Sequence, residues 1–285
     1  MTGMNLGVTI FLTDLSIGPI ELAREVEARG FSSVWLPEHT HIPTSRRTPA
    51  PMGEPLDEEY RRCLDPFVTM GMMTAVTDRI RLGTGISLLA ERDPIVTAKE
   101  VATLDHVSNG RISLGIGYGW NIEELENHGG SKKTRRAVVR ERILAMQELW
   151  GTEAAAFHGD HVQMEEAWAW PKPKQQVQGR TGVPVLVGGA PGPILFQHIA
   201  EFADGWIPIG GAGVAAAMAD LHAAADEAGR DPSELTVIPF GTLPDQGKLD
   251  HYQTLGITET VLRLPSAGRD EVLRVLDSYV PFLDR

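Results

Sequence analysis

Strand-like and helix-like segments alternate eight times along this chain, and this alternation restricts the fold more than any other feature. The clearest unit has a strand pattern over 80–89, a helix pattern after it, and a second strand pattern over 111–117. Strands that alternate with helices form parallel sheets, and eight such units are enough to close a sheet into a barrel. The sequence therefore predicts an α/β fold, a (β/α)8 TIM barrel with its chemistry at the carboxyl ends of the strands.

The predicted strands are apolar at nearly every position, which is typical of a sheet that is buried on both faces. They span 6–12, 33–37, 80–89, 111–117, 183–187, 205–209, 235–240 and 259–264. Two stretches break the rhythm and are predicted to be insertions, one after the second strand (39–65) and one before the fifth (151–182). Because no linker rich in proline, serine or charge separates two halves, we expect a single barrel domain over 1–285.

The helix after the third strand has the clearest end signals. Asp93 is placed as its N-cap, Pro94 as its first-turn proline, and Asn109 with Gly110 as its stop. Asp105 interrupts the apolar stripe of this helix. We therefore expect its buried face to be narrow at that end.

Composition excludes several classes of function. The formal net charge of −12 argues against a nucleic-acid partner, because the phosphate backbone requires a basic face. The single cysteine, Cys63, excludes an internal disulfide and fits a reducing compartment. No apolar run approaches the roughly 20 residues of a membrane span, and the N-terminus lacks a signal-peptide pattern. We therefore expect a cytoplasmic protein that does not bind membranes.

Glycines gather at the predicted carboxyl ends of the strands. Glycine lets a backbone approach a ligand closely and leaves N–H groups free to bind anions, and a glycine turn before a helix suits a phosphate. The alternative interpretation is that these glycines only form tight turns. The predicted rim carries Thr84-Gly85-Ile86, Gly117-Tyr118-Gly119-Trp120, Gly188-Gly189-Ala190-Pro191 and Gly210.

Glu38 and His39 stand at the end of the second predicted strand. The spacing of His39 and His41 can hold a metal, but no other predicted strand end carries a His, Asp or Cys, so we predict no metal site. We predict instead that His39 acts as an acid, a base or a hydrogen-bond donor to a ring. The alternative is a structural histidine bonded to a neighbouring backbone group.

Other chemistries lack their signatures. The chain has no Gly-x-Ser-x-Gly motif, no clear pair of carboxylates on the predicted rim and no dinucleotide fingerprint. A rim of glycines and aromatic residues favours a bound cofactor that performs the reaction. A basic run, Lys132, Lys133, Arg135 and Arg136, is either a solvated helix start or a contact for an anionic cofactor tail.

An ordered set of motifs resembles the luciferase-like monooxygenase superfamily. The motifs lie at 31–39, 79–85, 98–105, 109–120, 184–189 and 203–206. Members bind either FMN or the deazaflavin coenzyme F420, and the stretches at 37–41, 118–121 and 168–171 look most like the F420-dependent oxidoreductases. The resemblance implies a cofactor ring over a bulge at Thr84-Gly85-Ile86, with a cis peptide between Gly85 and Ile86. It also implies a phosphate on Gly188-Gly189-Ala190.

The resemblance thus implies an F420-dependent oxidoreductase that transfers a hydride between the deazaflavin and a small organic substrate. One alternative is an FMN-dependent monooxygenase supplied by a separate reductase, and a second is a cofactor-binding protein without turnover. We also expect a homodimer and an F420- or flavin-reducing system elsewhere in the cell. The expected catalytic residue is His39. The expected cofactor-binding residues are Glu38, Thr84, Gly85, Ile86, Gly117, Tyr118, Gly119, Trp120, Gly188, Gly189, Ala190, Pro191 and Gly210.

Overall fold

A computed structural model describes residues 4–51 and 53–283. The first half contains, in order, β1 (Asn5–Thr9), α1 (Pro19–Ala28), β2 (Ser33–Leu36), α2 (Pro66–Thr74), β3 (Arg81–Ser87), α3 (Pro94–Ser108), β4 (Ile112–Ile116), α4 (Ile122–Asn127) and α5 (Arg135–Gly151). Two antiparallel hairpins follow, β5 (Ala154–His158) with β6 (Gln163–Trp168), and β7 (Gln176–Val177) with β8 (Arg180–Thr181).

The rest of the chain returns to the alternation of strand and helix. It contains β9 (Val185–Gly188), α6 (Pro193–Phe202), β10 (Gly205–Ile207), α7 (Val214–Glu227), β11 (Thr236–Val237), β12 (Phe240–Thr242), α8 (Gln246–Thr254), β13 (Glu259–Arg263) and α9 (Arg269–Tyr279). None of the described helices is long and apolar enough to cross a membrane.

The strands other than the hairpins form one curled parallel sheet, in the order β11-β10-β9-β4-β3-β2-β1-β13-β12. β11 and β12 are two pieces of one strand. β11 pairs with β10 and β12 pairs with β13, so this interrupted strand joins the two sides of the sheet. The break falls at Pro239, which has no N–H for a ladder hydrogen bond. The expected α/β class with parallel strands is confirmed.

Backbone hydrogen bonds cross this interrupted strand in both directions. The amide of Ile238 donates to the carbonyl of Trp206 at 2.9 Å. On the other side, the amide of Val261 donates to the carbonyl of Pro239, also at 2.9 Å. The sheet therefore curls until β10 and β13 share the interrupted strand as a neighbour. Because the strands are parallel, their carboxyl ends lie at one end of the curled sheet, which we call the mouth.

The core has two layers. A small cluster of buried apolar side chains lies inside the curled sheet, and a larger one lies between the sheet and the surrounding helices. Successive side chains of a strand point to opposite faces, so a strand such as β9 or β13 supplies both layers. The inner cluster consists of Trp35, Leu186, Ile207, Ile238, Phe240 and Val261, with Ile86 packed against it.

The long segment between β2 and β3 returns to the mouth of the sheet. The amide of Leu64 donates to the carbonyl of Leu12 at 2.9 Å, and Cys63 forms a β-bridge with Thr13. A short 3-10 helix, Glu58–Arg62, lies just before this contact. The segment therefore brings its own side chains next to the ends of β1 and β2.

The expectation that Asp105 narrows the buried face of α3 is wrong. Asp105 is fully buried, and its carboxylate accepts hydrogen bonds from the amides of Lys174 (2.7 Å) and Gln175 (3.2 Å). The side-chain amide of Gln175 adds a third bond at 2.6 Å. A buried carboxylate is tolerated when hydrogen bonds replace its hydration. Asp105 therefore anchors the segment before β7 to the end of α3.

Candidate functional site

The end of β3 interrupts the regular sheet at the mouth. Gly85 and Ile86 are partly exposed, although the rest of this part of β3 is buried. The pairing of β3 with β4 shifts register between Thr84 and Ser87, and the peptide bond between Gly85 and Ile86 is cis. Both the bulge and the cis bond are where the resemblance placed them. β3 therefore offers an irregular stretch of backbone to the mouth.

Three predicted glycine segments meet at the side chain of Ile86. A Cβ on Gly117 would lie 2.5 Å from Cδ1 of Ile86, and a Cβ on Gly188 would lie 2.6 Å from its Cγ2. Gly85 has a similar constraint, because a Cβ there would lie 2.2 Å from the ring of Phe240. These glycines are required by packing within the protein. The structure thus brings β3, β4 and β9 together at one point of the mouth.

Two of the predicted cofactor-binding side chains make hydrogen bonds within the protein. The Thr84 hydroxyl is fully buried and donates to the carbonyl of Gly115 at 2.6 Å. The buried carboxylate of Glu38 accepts from the Ser87 hydroxyl (2.7 Å), the Leu88 amide (2.7 Å) and Nε of Arg92 (2.5 Å). Glu38 therefore ties the end of β2 to the end of β3, which places the following residue, His39, beside the bulge.

His39 is buried among aromatic rings, and both of its ring nitrogens have partners. Nδ1 lies 2.7 Å from Oε2 of Glu124, and Nε2 accepts a hydrogen bond of 3.3 Å from the indole N–H of Trp120. The centroids of the Tyr60 and Trp120 rings lie 5.4 and 5.7 Å from that of the imidazole. His39 is thus held by a carboxylate on one side and an indole on the other.

Glu124 is the main residue that the sequence interpretation missed. Its side chain is fully buried on α4, a short helix that was not predicted. Oε1 accepts from the backbone amide of Thr40 at 2.9 Å. The available signal was the spacing of Asn121 and Glu124, because Asn at an N-cap followed three residues later by Glu is a helix-start pattern. Asn121 is indeed the N-cap of α4, although its side chain makes no capping bond.

Three carboxyl groups gather at this side of the mouth: Glu38, Glu91 and Glu124. The side chain of Glu91 is only 1% exposed, and its Oε2 has no hydrogen-bond partner among the described residues. Burial, followed by the charges of Glu124 and Glu38, raises the pKa of Glu91 to about 8. Its carboxyl group is therefore protonated at neutral pH. The expectation that the mouth is poor in carboxylates is wrong. It considered only the ends of the strands, whereas Glu91 and Glu124 lie in the segments that follow β3 and β4.

Tyr118 and Trp120 point in different directions from the end of β4. Trp120 contacts His39, whereas the Tyr118 hydroxyl lies 2.7 Å from Nδ1 of His198 on α6. Burial raises the pKa of Tyr118 to about 12, and the guanidinium of Arg136 lies 5.5 Å from its ring centroid. Between the two aromatic residues, Gly119 has a φ of +73°, which a residue with a side chain rarely adopts. This turn sends the two rings to opposite sides.

The turn between β9 and α6 has an open approach. Ala190 and Pro191 are exposed, and α6 begins at Pro193 with Gly192 as an N-cap that supplies no side-chain hydrogen bond. The carbonyl of Gly189 accepts from the indole of Trp206 at 2.9 Å, which fixes the start of the turn. A helix N-terminus without a cap leaves amide N–H groups available to an anion. These residues fit a phosphate.

Gly210 lies three residues after the end of β10 and is exposed, with a φ of +74°. Its amide donates to the carbonyl of Phe240 at 2.7 Å, and a Cβ built on it would meet no atom within 4 Å. Gly210 therefore serves the turn after β10, and the space above it is open.

A cavity of about 410 Å³ lies behind Trp120 and is lined by basic side chains. Nη1 of Arg135 is buried there without a hydrogen-bond partner among the described residues. Arg47, in contrast, is paired with Glu123 at 2.8 Å and Glu126 at 2.7 Å. The lining is formed by Arg47, Thr48, Pro49, Trp120, Ile122, Glu123, Lys132 and Arg135.

Metal and thiol chemistry have no support in the described part of the chain. No group of three or more His, Cys, Asp or Glu side chains there is arranged to hold a metal ion. Burial raises the pKa of the Cys63 thiol to about 12, and this thiol donates to the carbonyl of Pro37 at 3.3 Å. A thiol with such a pKa is not a nucleophile at neutral pH.

Comparison with known proteins relates this chain to flavin and deazaflavin enzymes. The profile of the luciferase-like monooxygenase family matches residues 19–243. An uncharacterized protein of Mycobacterium tuberculosis is 41% identical over 282 residues, which are 94% of each chain. An F420-dependent glucose-6-phosphate dehydrogenase of Amycolatopsis mediterranei is 29% identical over 222 residues, or 76% of this chain and 60% of the relative. The fold resembles the crystal structure of monooxygenase RslO1 from Streptomyces bottropensis, with a TM-score of 0.77, 19% identity and 98% of each chain covered.

Replacing Glu91 by Gln should remove a pH dependence of stability. Because the pKa of Glu91 rises from 4.5 to about 8 on folding, its protonated form stabilises the fold below pH 4.5, and this contribution is lost as the pH rises through 8. In urea unfolding from pH 5 to 9, the free energy of unfolding of the wild type should fall relative to Glu91→Gln. The expected slope is at most about 1.4 kcal/mol per pH unit.

The matched control is Glu165→Gln, the same change at an exposed position on β6. This control should follow the wild type at every pH. If Glu91→Gln also followed the wild type, Glu91 would be ionised in the folded protein at neutral pH.

Proposed function

Because this chain belongs to the luciferase-like monooxygenase family, we propose that it is an F420-dependent oxidoreductase acting on a small organic substrate. The observation that carries the proposal is the meeting of three elements at one mouth: the bulge at Gly85–Ile86, the glycine turn at Gly188–Gly189 and the buried imidazole of His39. Similarity to an F420-dependent dehydrogenase over 76% of this chain supports the choice of cofactor.

The residues at the mouth fit a flat, phosphorylated cofactor. In the proposal, the partly exposed backbone of Gly85 and Ile86 supports a ring, and the uncapped start of α6 with Gly189 and Ala190 holds a phosphate. F420 supplies two-electron hydride chemistry when it is bound. Thr84 and Glu38 contribute indirectly, because their side chains fix the ends of β3 and β2. The main contribution of the protein is then to orient the reactants.

His39 is the proposed proton-transfer residue. Its Nε2 accepts from Trp120 in this structure, so that nitrogen carries a lone pair that can take a proton from a substrate. The side chain is positioned by Glu124 and surrounded by Tyr60 and Trp120, which limit the access of water. This environment suits general acid–base catalysis next to a redox cofactor.

The second candidate is an FMN-dependent monooxygenase, which the fold similarity to monooxygenase RslO1 favours. The two candidates differ in cofactor and in the need for oxygen. Either one requires a separate system that reduces F420 or flavin, and we propose that such a system serves this protein from outside the chain. A protein that binds F420 but turns over no substrate would be a cofactor carrier.

We expect F420 to bind and FMN not to bind. Lys132 and Lys133 are exposed at the start of α5, where positive charge can attract an anionic tail. Changing both to Gln should weaken F420 binding by roughly 3- to 30-fold, since each of the two charges contributes about 0.3–1 kcal/mol. Fluorescence titration of the purified protein at two salt concentrations measures both effects.

The matched control for charge is Lys248→Gln, on α8, a half-buried lysine near the start of a different helix. It should bind F420 like the wild type. Tight binding of FMN together with weak binding of F420 would reverse the assignment and favour the monooxygenase.

Replacing His39 by Ala should lower turnover by about 100- to 10,000-fold, the usual range for losing a general acid or base. F420 affinity should change little, since the proposed cofactor contacts are the backbone of β3 and of the turn before α6 and the side chains of Lys132 and Lys133. Turnover is followed through the change in F420 absorbance with a panel of alcohol and carbonyl substrates. Equal turnover of the variant and the wild type, with both proteins folded, would assign His39 a structural role only.

We further propose that the protein is a homodimer that associates through the outer faces of α2 and α3. These helices expose Val68 (69%), Met72 (41%) and Val107 (62%), although apolar side chains of this size are usually buried.

Light scattering after gel filtration should give the mass of two chains, and Val68→Asp should give the mass of one. Leu243→Asp, at an equally exposed apolar residue away from these helices, should remain dimeric. A monomeric wild type would contradict the proposal.

A further inference from the structure

We propose that Glu124 is a positioning residue, which holds His39 in the tautomer that carries its proton on Nδ1 and leaves Nε2 as the base. The inference deepens the proposed function and rests on it for its catalytic meaning. The tautomer itself is a property of the free protein, so that it can be tested without cofactor or substrate.

The first observation is the contact between Glu124 and Nδ1. A carboxylate only accepts hydrogen bonds, so the 2.7 Å contact between Oε2 and Nδ1 requires a proton on Nδ1. Both side chains are almost completely buried, at 5% and 0% exposure, so water does not compete for this bond. Charge-assisted bonds of this kind are about twice as strong as neutral ones.

The second observation comes from the opposite side of the ring. The indole N–H of Trp120 only donates, so its 3.3 Å contact with Nε2 requires a lone pair on that nitrogen. The two neighbours of the imidazole therefore demand the same tautomer. The Trp120 contact is long, so a substrate donor that approaches Nε2 displaces a weak bond.

Glu124 is itself held in place by donors that cannot rotate away. Oε1 accepts from the backbone amide of Thr40 at 2.9 Å, and the amide of His41 lies 3.5 Å from the same oxygen. The Thr40 hydroxyl adds a longer contact of 3.4 Å. Since these amides belong to the segment directly after His39, one carboxylate fixes both the ring and the backbone that carries it.

The neighbouring carboxyl groups contact residues other than His39. Glu38 is neutralised by Arg92, which also contacts Asp65 and Glu100. Glu91 faces Nε2 of His128 at 3.8 Å. His128 and His41 share the Thr40 hydroxyl, at 2.8 and 2.9 Å. The charge closest to His39 is then the carboxylate of Glu124.

The variant Glu124→Gln tests the proposal because glutamine has one acceptor oxygen and one donor NH₂ group. The fixed amide of Thr40 requires the oxygen of Gln at the position of Oε1. The NH₂ group then faces Nδ1 of His39 and donates to it, which moves the imidazole proton to Nε2, because the opposing Trp120 contact of 3.3 Å is the weaker of the two. The substitution is nearly isosteric, so that the tautomer changes with little change of shape.

The experiment is nitrogen NMR on protein labelled with ¹⁵N-histidine, without cofactor, at a pH where the imidazole is neutral. In the wild type, His39 should show a protonated Nδ1 and an unprotonated Nε2, and Glu124→Gln should show the reverse. Glu126→Gln, the same change at an exposed position on α4, should match the wild type. Trp120→Phe should also keep the wild-type tautomer, because the Glu124 contact remains.

A wild-type His39 with its proton on Nε2 would overturn the proposal without any variant, so the test does not depend on the folding of Glu124→Gln. An unchanged tautomer in folded Glu124→Gln would overturn it as well.

Turnover then separates this inference from the proposed function. If the tautomer inverts as expected and turnover falls about 100- to 10,000-fold with little change in KM, both hold. If the tautomer inverts and turnover is unchanged, the positioning by Glu124 stands and the proton-transfer role of His39 fails.

Discussion

The packing of Ile86 against two glycines is the contact on which the mouth of this sheet depends. Its side chain occupies the space that a Cβ would need on Gly117 and on Gly188, so three strands approach each other at one residue. Interiors pack densely, and a methyl group added at either glycine would displace the Ile86 side chain. The same residue lies at the bulge of β3. The irregular backbone at the mouth is therefore supported by the core below it.

The position of His39 follows from this arrangement through Glu38. Since Glu38 binds the side chain of Ser87 and the amide of Leu88, the end of β2 is fastened to the residues directly after the bulge. His39 then extends over the mouth, where α4 brings Glu124 to it. The chain order supports the same result, because α4 begins right after Trp120, the second neighbour of His39. A side chain in a loop thus gains the fixed orientation of a residue in the sheet.

The fold was predictable because its signals are local and repeated. Apolar strands of two to seven residues alternate with helices, and the structure confirms Asp93 and Asn109 as the caps of α3. The bulge and the cis bond at Gly85–Ile86 followed from the resemblance, not from any rule of composition. Asp105 was misread because a sequence shows that a residue is charged but not which amides reach it. Glu124 was missed because α4 has six residues, too few for a periodic pattern.

Three buried carboxyl groups at one mouth raise the question of how their charges are tolerated. The three groups have different environments. Glu38 pairs with the guanidinium of Arg92, and Glu124 accepts hydrogen bonds from the Thr40 amide and from the imidazole of His39. Burial, followed by the charges of Glu124 and Glu38, keeps Glu91 protonated. In a medium of low dielectric constant, burying two carboxylates and one neutral carboxyl group costs less free energy than burying three carboxylates. The proton on Glu91 therefore keeps a further negative charge away from the carboxyl groups of Glu38 and Glu124. Since Glu124 determines which nitrogen of His39 is free, the electrostatics of this cluster and the chemistry of the imidazole cannot be varied independently.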